Sequence, residues 1–86
     1  MTPPILGLDE APLKEAFEVH EVAYPAGAQW PQRLEELGFL PGERVAVLAR
    51  GAPGREPLAV RIGHSTFALR RSEAACVRVR RRRAAR

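Results

Sequence analysis

The stretch RLEELGFLPGERVAV, residues 33–47, carries the clearest pattern in this chain of 86 residues. Leu34 and Leu37 are three positions apart, and Trp30 lies four positions before Leu34. This spacing predicts one apolar face of a short helix. Gly38 follows the last apolar position and predicts the end of that helix, because glycine adopts the left-handed conformation of a helix C-terminus without strain.

The residues after the helix predict a turn and then a strand. Phe39 is expected to fold back onto the helix, which is the usual hydrophobic contact of a glycine-capped end. Residues 40–43 are Leu-Pro-Gly-Glu, and the Pro-Gly order is typical of a type II turn. Residues 44–50 alternate and contain β-branched side chains, which predicts a strand.

Four more strands are predicted around this stretch, two of them joined into a hairpin by the tight turn Gly63-His64. A bulge or strand end is expected at Val22, and one helical turn over residues 70–75. Five short strands, with one small helix after the first, predict a mainly β domain that forms a small closed or half-open barrel. The four additional strands are expected over residues 16–22, 57–62, 65–69 and 76–79.

The chain is expected to form one domain, over residues 13–80. Hydrophobic residues make up 45% of the sequence, enough for a core, although a chain of this size buries only about 60–65% of its unfolded surface. Residues 1–12 are predicted to be a loose lead-in, because Pro3-Pro4 cannot start a hydrogen-bonded element. Residues 81–86 are predicted to be a basic, disordered tail.

Composition excludes several classes of protein. The chain has no room for a Rossmann unit or a P-loop domain with its sheet. Its one cysteine, Cys76, excludes an internal disulfide framework and a multi-cysteine zinc site. No stretch approaches the roughly 18 apolar residues of a membrane span. Residues 1–7 lack the basic and long apolar regions of a signal peptide, so a cytoplasmic protein is expected, with peripheral contact at the inner membrane left open.

The net charge of +4 is unevenly distributed. Residues 70–86 hold eight arginines against one glutamate, for a net +7, whereas residues 1–69 hold six basic and nine acidic groups, for a net −3. Arg78 and Arg80 are expected on the outward face of the last strand. The arginine-rich end could bind nucleic acid or an anionic membrane surface, or could reflect GC-rich coding alone.

Three segments together resemble the FeoA family, ferrous iron transport protein A. Residues 33–47 are similar to its RL-x-x-LG-x-x-PG-x-x-V-x-V pattern, and residues 57–63 to its P-x-x-V-x-V-x-G pattern. Residues 68–79 are similar to its ALR-x-x-EA pattern and closing strand. The resemblance implies an SH3-like fold, here a small five-stranded barrel with one short helix after the first strand.

The resemblance also implies a function by association. FeoA proteins are accessory or regulatory factors beside the FeoB-type ferrous iron transporter, a bacterial membrane protein with a cytoplasmic GTP-binding domain. The resemblance therefore implies that this chain binds either that domain or the membrane domain and modulates GTP-dependent iron uptake. The oligomeric state, and activation as against inhibition, are left open.

Nothing in the sequence predicts an enzyme. His64 and Ser65 are adjacent, but neighbours in a hairpin turn rarely face each other, and Asp9 is the only aspartate that could orient a histidine. Residues 51–54 lack the Gly-Lys-Ser/Thr that holds phosphate and magnesium, so this chain is not expected to bind GTP.

Three side chains are candidates for a weak metal site. Imidazole and carboxylate groups suit Fe(II) and Zn(II), and His20, Glu21 and His64 supply them. No pair has typical ligand spacing, and His20 and Glu21 point to opposite faces of a flat strand. We therefore expect no required cofactor and at most a weak divalent site, or one shared between two molecules.

The candidate partner-binding residues are Tyr24, Trp30, Arg50 and Arg55. Aromatic residues anchor many protein interfaces, and SH3-like domains can bind proline-rich segments through aromatic grooves. Alternatively, Trp30 packs in the core beside Leu34. Arg50, Arg55 or Arg70 could act as an arginine finger for a GTPase, but nothing in the sequence selects one of them.

Two other functions are compatible with the sequence. A small barrel that binds nucleic acid through its arginine-rich C-terminus is the main alternative, although the acidic body of the chain disfavours it. A detached regulatory domain, similar to those fused to iron-dependent repressors, is the second. The chain has no room for a helix-turn-helix, which argues against recognition of a DNA site by this chain alone.

Overall fold

The computed structural model describes residues 3–51, 54 and 56–82, and its main element is a β-sheet. Each strand places alternate side chains on opposite faces, so one face of the sheet is apolar. The helices are α1, Gln32–Leu37, and α2, Arg71–Cys76. The strands are β1, Leu6–Gly7; β2, Phe17–Val22; β3, Arg44–Arg50; β4, Leu58–Ile62; β5, Ser65–Leu69; and β6, Val77–Arg81.

The strands form one antiparallel sheet in the order β1-β6-β2-β3-β4-β5. Val45 and Val47 of β3 pair with Ile62 and Val60 of β4 and point into the core with them. The predicted mainly β, SH3-like architecture is confirmed, with one two-residue strand more than the five expected. Among the described residues, no helix is long and apolar enough to cross a membrane.

The local predictions for residues 33–47 are confirmed. α1 ends at Gly38, whose φ of 117° lies in the left-handed region. The Phe39 N–H donates to the Leu34 carbonyl at 3.1 Å, and both side chains are buried in the core. In the turn that follows, Gly42 has a φ of 89° and the Glu43 N–H donates to the Leu40 carbonyl at 3.0 Å.

The start of the chain is more ordered than the predicted loose lead-in. Leu6 pairs with Val79 of β6, and Leu8 and Ala11 are fully buried. The two prolines precede this strand and leave it intact, because the first paired residue is Leu6. At the other end, Arg81 belongs to β6, and residues 83–86 of the predicted disordered tail lie outside the described residues.

The predicted position of Trp30 on the apolar face of the helix is wrong. The helix begins at Gln32, and Pro31, which precedes it, takes the buried position. Trp30 lies outside the helix and is 43% exposed. The predicted irregularity in the first long strand exists, but it lies between Val19 and Glu21 and not at Val22.

Candidate functional site

Exposed aromatic side chains flank α1. Trp30 lines a cleft of about 200 Å³ together with Arg33 of α1 and Arg70, which precedes α2. Tyr24 is 44% exposed, and its hydroxyl is bonded to Glu35 of α1. Arg33 and Glu35 are two positions apart on α1, so Trp30 and Tyr24 lie on different sides of the helix. We call Tyr24, Trp30, Arg33 and Arg70 together the aromatic surface. Two aromatic rings and two guanidinium groups are the side-chain types most enriched where proteins bind each other.

Glu73 lines the same cleft and contacts both of its arginines. Its carboxylate accepts the backbone N–H of Arg70 at 2.8 Å, as the third residue of a capped helix often does. The same side chain forms an ion pair with Arg33 at 3.6 Å. Because the Arg33 side chain is 65% exposed, this pair contributes little stability. The pair joins a side chain of α1 to one of α2 across the cleft.

Tyr24 is attached to α1 by a hydrogen bond in which its hydroxyl donates to the Glu35 carboxylate. This bond stabilises the neutral phenol and raises the pKa of Tyr24 to about 12. The nearby negative charges of Glu35 and Glu36 act in the same direction. The bond therefore holds the exposed loop around Tyr24 against the helix.

The chain's single tyrosine makes this bond directly measurable. We expect the phenol absorbance in the near ultraviolet to titrate with a pKa of about 12 in the wild type and with a lower pKa in Glu35→Gln, whose neutral amide oxygen is a weaker acceptor than a carboxylate. Because the folded pKa is raised above the unfolded one, the stability from this bond is fully present below pH 10 and is lost as the pH rises towards 12. Glu36→Gln is the matched control and should change the pKa much less; equal titration of all three proteins would contradict the bond.

The other two partner-binding candidates have different surroundings. Arg50 is half-buried, and its guanidinium donates to the carbonyls of Asp9 at 2.8 Å and Ala11 at 2.7 Å. Arg50 therefore holds the N-terminal segment on β3. Arg55 lies outside the described residues. The structure thus brings Tyr24 and Trp30 to α1, and it places Arg50 in contact with residues of the N-terminal segment.

The three metal candidates lie on two different parts of the sheet. His20 is half-buried on β2 beside the exposed Glu21, and His64 is exposed in the turn between β4 and β5. Across residues 3–51, 54 and 56–82, no three His, Cys, Asp or Glu side chains come together. These residues therefore do not fit a four-ligand zinc centre. Cys76 is buried, which raises the pKa of its thiol.

Sequence reasoning missed Arg33, Arg70 and Glu73 as parts of one cleft. The spacing of Glu73 three residues after Arg70 is that of a capping box, which could have indicated the start of α2. The signal was weak because arginine replaces the usual serine or threonine at the first position. The ion pair between Arg33 and Glu73 joins residues 40 positions apart, and no local pattern predicts it.

A sequence profile and solved structures both relate this chain to one protein family. A sequence profile described as the FeoA domain matches residues 6–81. A FeoA from Stenotrophomonas maltophilia is 44% identical, with a TM-score of 0.77 over 86% of this chain and 88% of that one. That protein was crystallised with zinc and is described as a procaryotic SH3 domain protein with a suggested role as a ferrous iron transport activating factor. No curated protein matches the chain.

Two further structures show how far the similarity extends. The FeoA protein of Chlorobium tepidum is 30% identical, with a TM-score of 0.72 over 88% of this chain and 70% of that one. A manganese-dependent transcriptional repressor shares the fold at 22% identity and a TM-score of 0.76, and the match spans 94% of this chain but 44% of the repressor. The profile match over most of the sequence and the 44% identity leave one assignment: this chain belongs to the FeoA family, for which a role in ferrous iron transport has been suggested.

Proposed function

We propose that this chain is an accessory factor of ferrous iron transport that binds a FeoB-type transporter through the aromatic surface and modulates its GTP-dependent iron uptake. The proposal has two parts, which are tested separately: contact with the transporter, and a change in its rate. The exposed aromatic surface supports the first part, and the family to which the chain belongs supports the second.

The observation that carries the contact is the exposure of Trp30. Tryptophan is large and apolar, and a position beside Leu34 in the core was available to it by spacing alone. Instead it is 43% exposed, in a cleft whose other side chains are charged or polar. Burial of such a side chain by a partner contributes a large favourable free energy of binding, and tryptophan is therefore a frequent hot spot of protein interfaces.

The neighbours of Trp30 favour a protein partner. Arg70 lies in the same cleft, and an arginine beside an aromatic ring can bind both carboxylates and backbone carbonyls. Tyr24 is held by Glu35, so its ring loses little freedom on binding. The surface thus presents pre-positioned anchors of the kind that bind a folded partner.

The contact is tested by pull-down of the transporter's cytoplasmic GTP-binding domain, and separately of detergent-solubilised transporter. We expect Trp30→Ala to weaken binding at least tenfold, since truncation of an interface hot spot costs about 2 kcal/mol or more. Leu40→Ala is the matched control, because Leu40 is 48% exposed but does not line the cleft. Undiminished binding by a folded Trp30→Ala, Tyr24→Ala double variant would refute the contact.

Modulation is tested with the transporter in liposomes. Addition of the wild-type chain is expected to change the rates of GTP hydrolysis and Fe(II) uptake, and addition of Trp30→Ala is expected to leave both at the level of the transporter alone. If the wild-type chain binds and neither rate changes, the modulating role is wrong and the contact stands.

Two of the three arginines of β6 already have carboxylate partners, which weakens the nucleic-acid alternative. Arg80 forms an ion pair with Glu18 at 3.2 Å, and Arg81 pairs with Glu15 and lies over the ring of Phe17 at 5.4 Å. Charges neutralised in this way contribute less to binding phosphates. A gel-shift experiment with random DNA at low salt separates the two functions, because an accessory factor should give no shift there.

A further inference from the structure

A second cleft, of about 220 Å³, lies on the opposite side of β2 from β6. Its walls are the segment 14–16 and the outward faces of β3 and β4. We call it the basic cleft, because Lys14, Arg44 and Arg61 line it. None of these three residues lines the cleft beside Trp30, so the two surfaces are separate.

The basic cleft exists because the chain leaves the sheet just before β2. Among the described residues, β2 and β3 pair at two positions, Phe17 with Val45 and Glu18 with Arg44. Before them the backbone turns at Lys14, whose φ is 64°, and the Lys14 N–H donates to the Val47 carbonyl at 2.7 Å. The intervening residues therefore stand off β3 and leave a gap.

Strand alternation decides which side chains face this gap. Val45 and Val47 point into the core, so Arg44 and Ala46 point outward. Arg61 pairs with Ala46 across the β3–β4 ladder and lies on the same face. Ala46 and Leu48 are half-buried and form an apolar floor between the basic side chains.

The charges in the basic cleft are unbalanced. Within the part of the chain that the structure describes, Lys14, Arg44 and Arg61 form no ion pair, and all three are exposed. The carboxylate that lines the cleft, Glu15, is already paired with Arg81. Three cations therefore border a small apolar floor and outnumber the two carboxylates nearest to it, Glu15 and Glu43, the second of which lies beside the lining residue Gly63.

We propose that the basic cleft binds an extended acidic segment of a partner protein, with an apolar side chain on the floor and flanking carboxylates on Lys14, Arg44 and Arg61. The charge of the cleft selects the acidic segment. Of the described lining residues none is aromatic, so the cleft does not fit the polyproline mode of SH3-like domains. Its volume is below that of a typical small-molecule pocket and suits a single side chain.

The test is a titration of the ¹⁵N-labelled full chain with the capped peptide Glu-Glu-Leu-Glu-Glu, followed by amide shifts. Shifts are expected at residues 14–16, 44–48 and 61–63. The capped peptide Gln-Gln-Leu-Gln-Gln, which keeps the leucine and lacks the charges, is expected to bind at least about tenfold more weakly. The affinity for the acidic peptide should fall as salt is raised, because the cations are exposed.

Matched variants test whether the acidic peptide binds in the basic cleft. Arg44→Glu and Arg61→Glu are each expected to weaken binding of the acidic peptide about tenfold. Arg71→Glu makes the same change in charge at an exposed residue outside the cleft and should bind as the wild type does. Arg44→Gln and Arg61→Gln, with circular dichroism of every variant, separate lost binding from lost folding.

The proposal would be overturned by equal affinity for the two peptides, by undiminished binding in the Arg44 and Arg61 variants, or by shifts centred elsewhere on the molecule. Binding of phosphatidylglycerol vesicles by the same residues without binding of the peptide would also overturn it, as would shifts at these residues that depend on protein concentration alone. The peptide titration contains no transporter and leaves Trp30 unchanged. If the peptide does not bind, the proposed contact with the transporter is unaffected. If the transporter does not bind, the proposed peptide site is equally unaffected.

Discussion

Replacing Arg50 by alanine is expected to lower the free energy of unfolding by about 2 kcal/mol. The guanidinium of Arg50 donates to two backbone carbonyls, those of Asp9 and Ala11, and is half-buried. Hydrogen bonds from a charged donor contribute about 1.5–3 kcal/mol, and their loss leaves both carbonyls without this donor. Urea unfolding followed by circular dichroism measures the change, at an unchanged slope with denaturant.

Two variants sharpen this expectation. Arg71→Ala removes an exposed arginine from the start of α2 and should change the stability by less than about 0.5 kcal/mol. Arg50→Lys keeps the charge but lacks the planar guanidinium that donates to two carbonyls at once. We therefore expect its free energy of unfolding to lie between those of the wild type and Arg50→Ala. If Arg50→Ala is as stable as Arg71→Ala, the two bonds do not hold the N-terminal segment. Retained binding of the transporter by a folded Arg50→Ala would in addition argue against Arg50 as a contact residue.

Leu34→Ala is expected to lower the free energy of unfolding by about 2–4 kcal/mol and to loosen the aromatic surface. All six residues of α1 are described, and Leu34 alone among them is buried. The Leu34 carbonyl also accepts the N–H of Phe39, so the cavity opens where the helix joins the core. A helix of six residues has no stability of its own and depends on this packing.

Hydrogen exchange distinguishes the local effect from the global one. In Leu34→Ala the amides of residues 34–39 should exchange faster than those of β3 and β4 under native conditions. Leu40→Ala makes the same substitution at an exposed position and should alter neither stability nor exchange by a measurable amount. Uniform acceleration across the whole chain would mean that α1 does not open separately from the sheet.

The parts of the fold that follow local rules could be predicted from the sequence. The helix end at Gly38, the turn at Gly42 and the strand from Arg44 to Arg50 each depend on residues within a few positions of one another. Their spacing and residue types are sufficient because glycine conformation and strand alternation are local properties. The resemblance to FeoA proteins rests on the same residues and is confirmed.

The candidate site was less predictable because its contacts join residues that are far apart in the sequence. Pro31 is buried and Trp30 is exposed, whereas the apolar spacing predicted Trp30 on the buried face. The cleft beside it requires Glu73 to reach Arg33 across 40 positions. The order of residues 6–11 depends on partners in β6 and on Arg50, which no pattern near the N-terminus indicates.

The short strand β1 has a consequence for how these molecules behave in concentrated solution. It covers β6 through the pairs Leu6–Val79 and Gly7–Arg78. Without it, β6 would be the outermost strand and would present free N–H and C=O groups along an edge, and such edges recruit strands from other molecules. Residues 6 and 7 thus protect the molecule against aggregation. A chain shortened to begin at residue 13 would lose this cover together with the buried side chains of Leu8 and Ala11, so we expect it to be both less soluble and less stable.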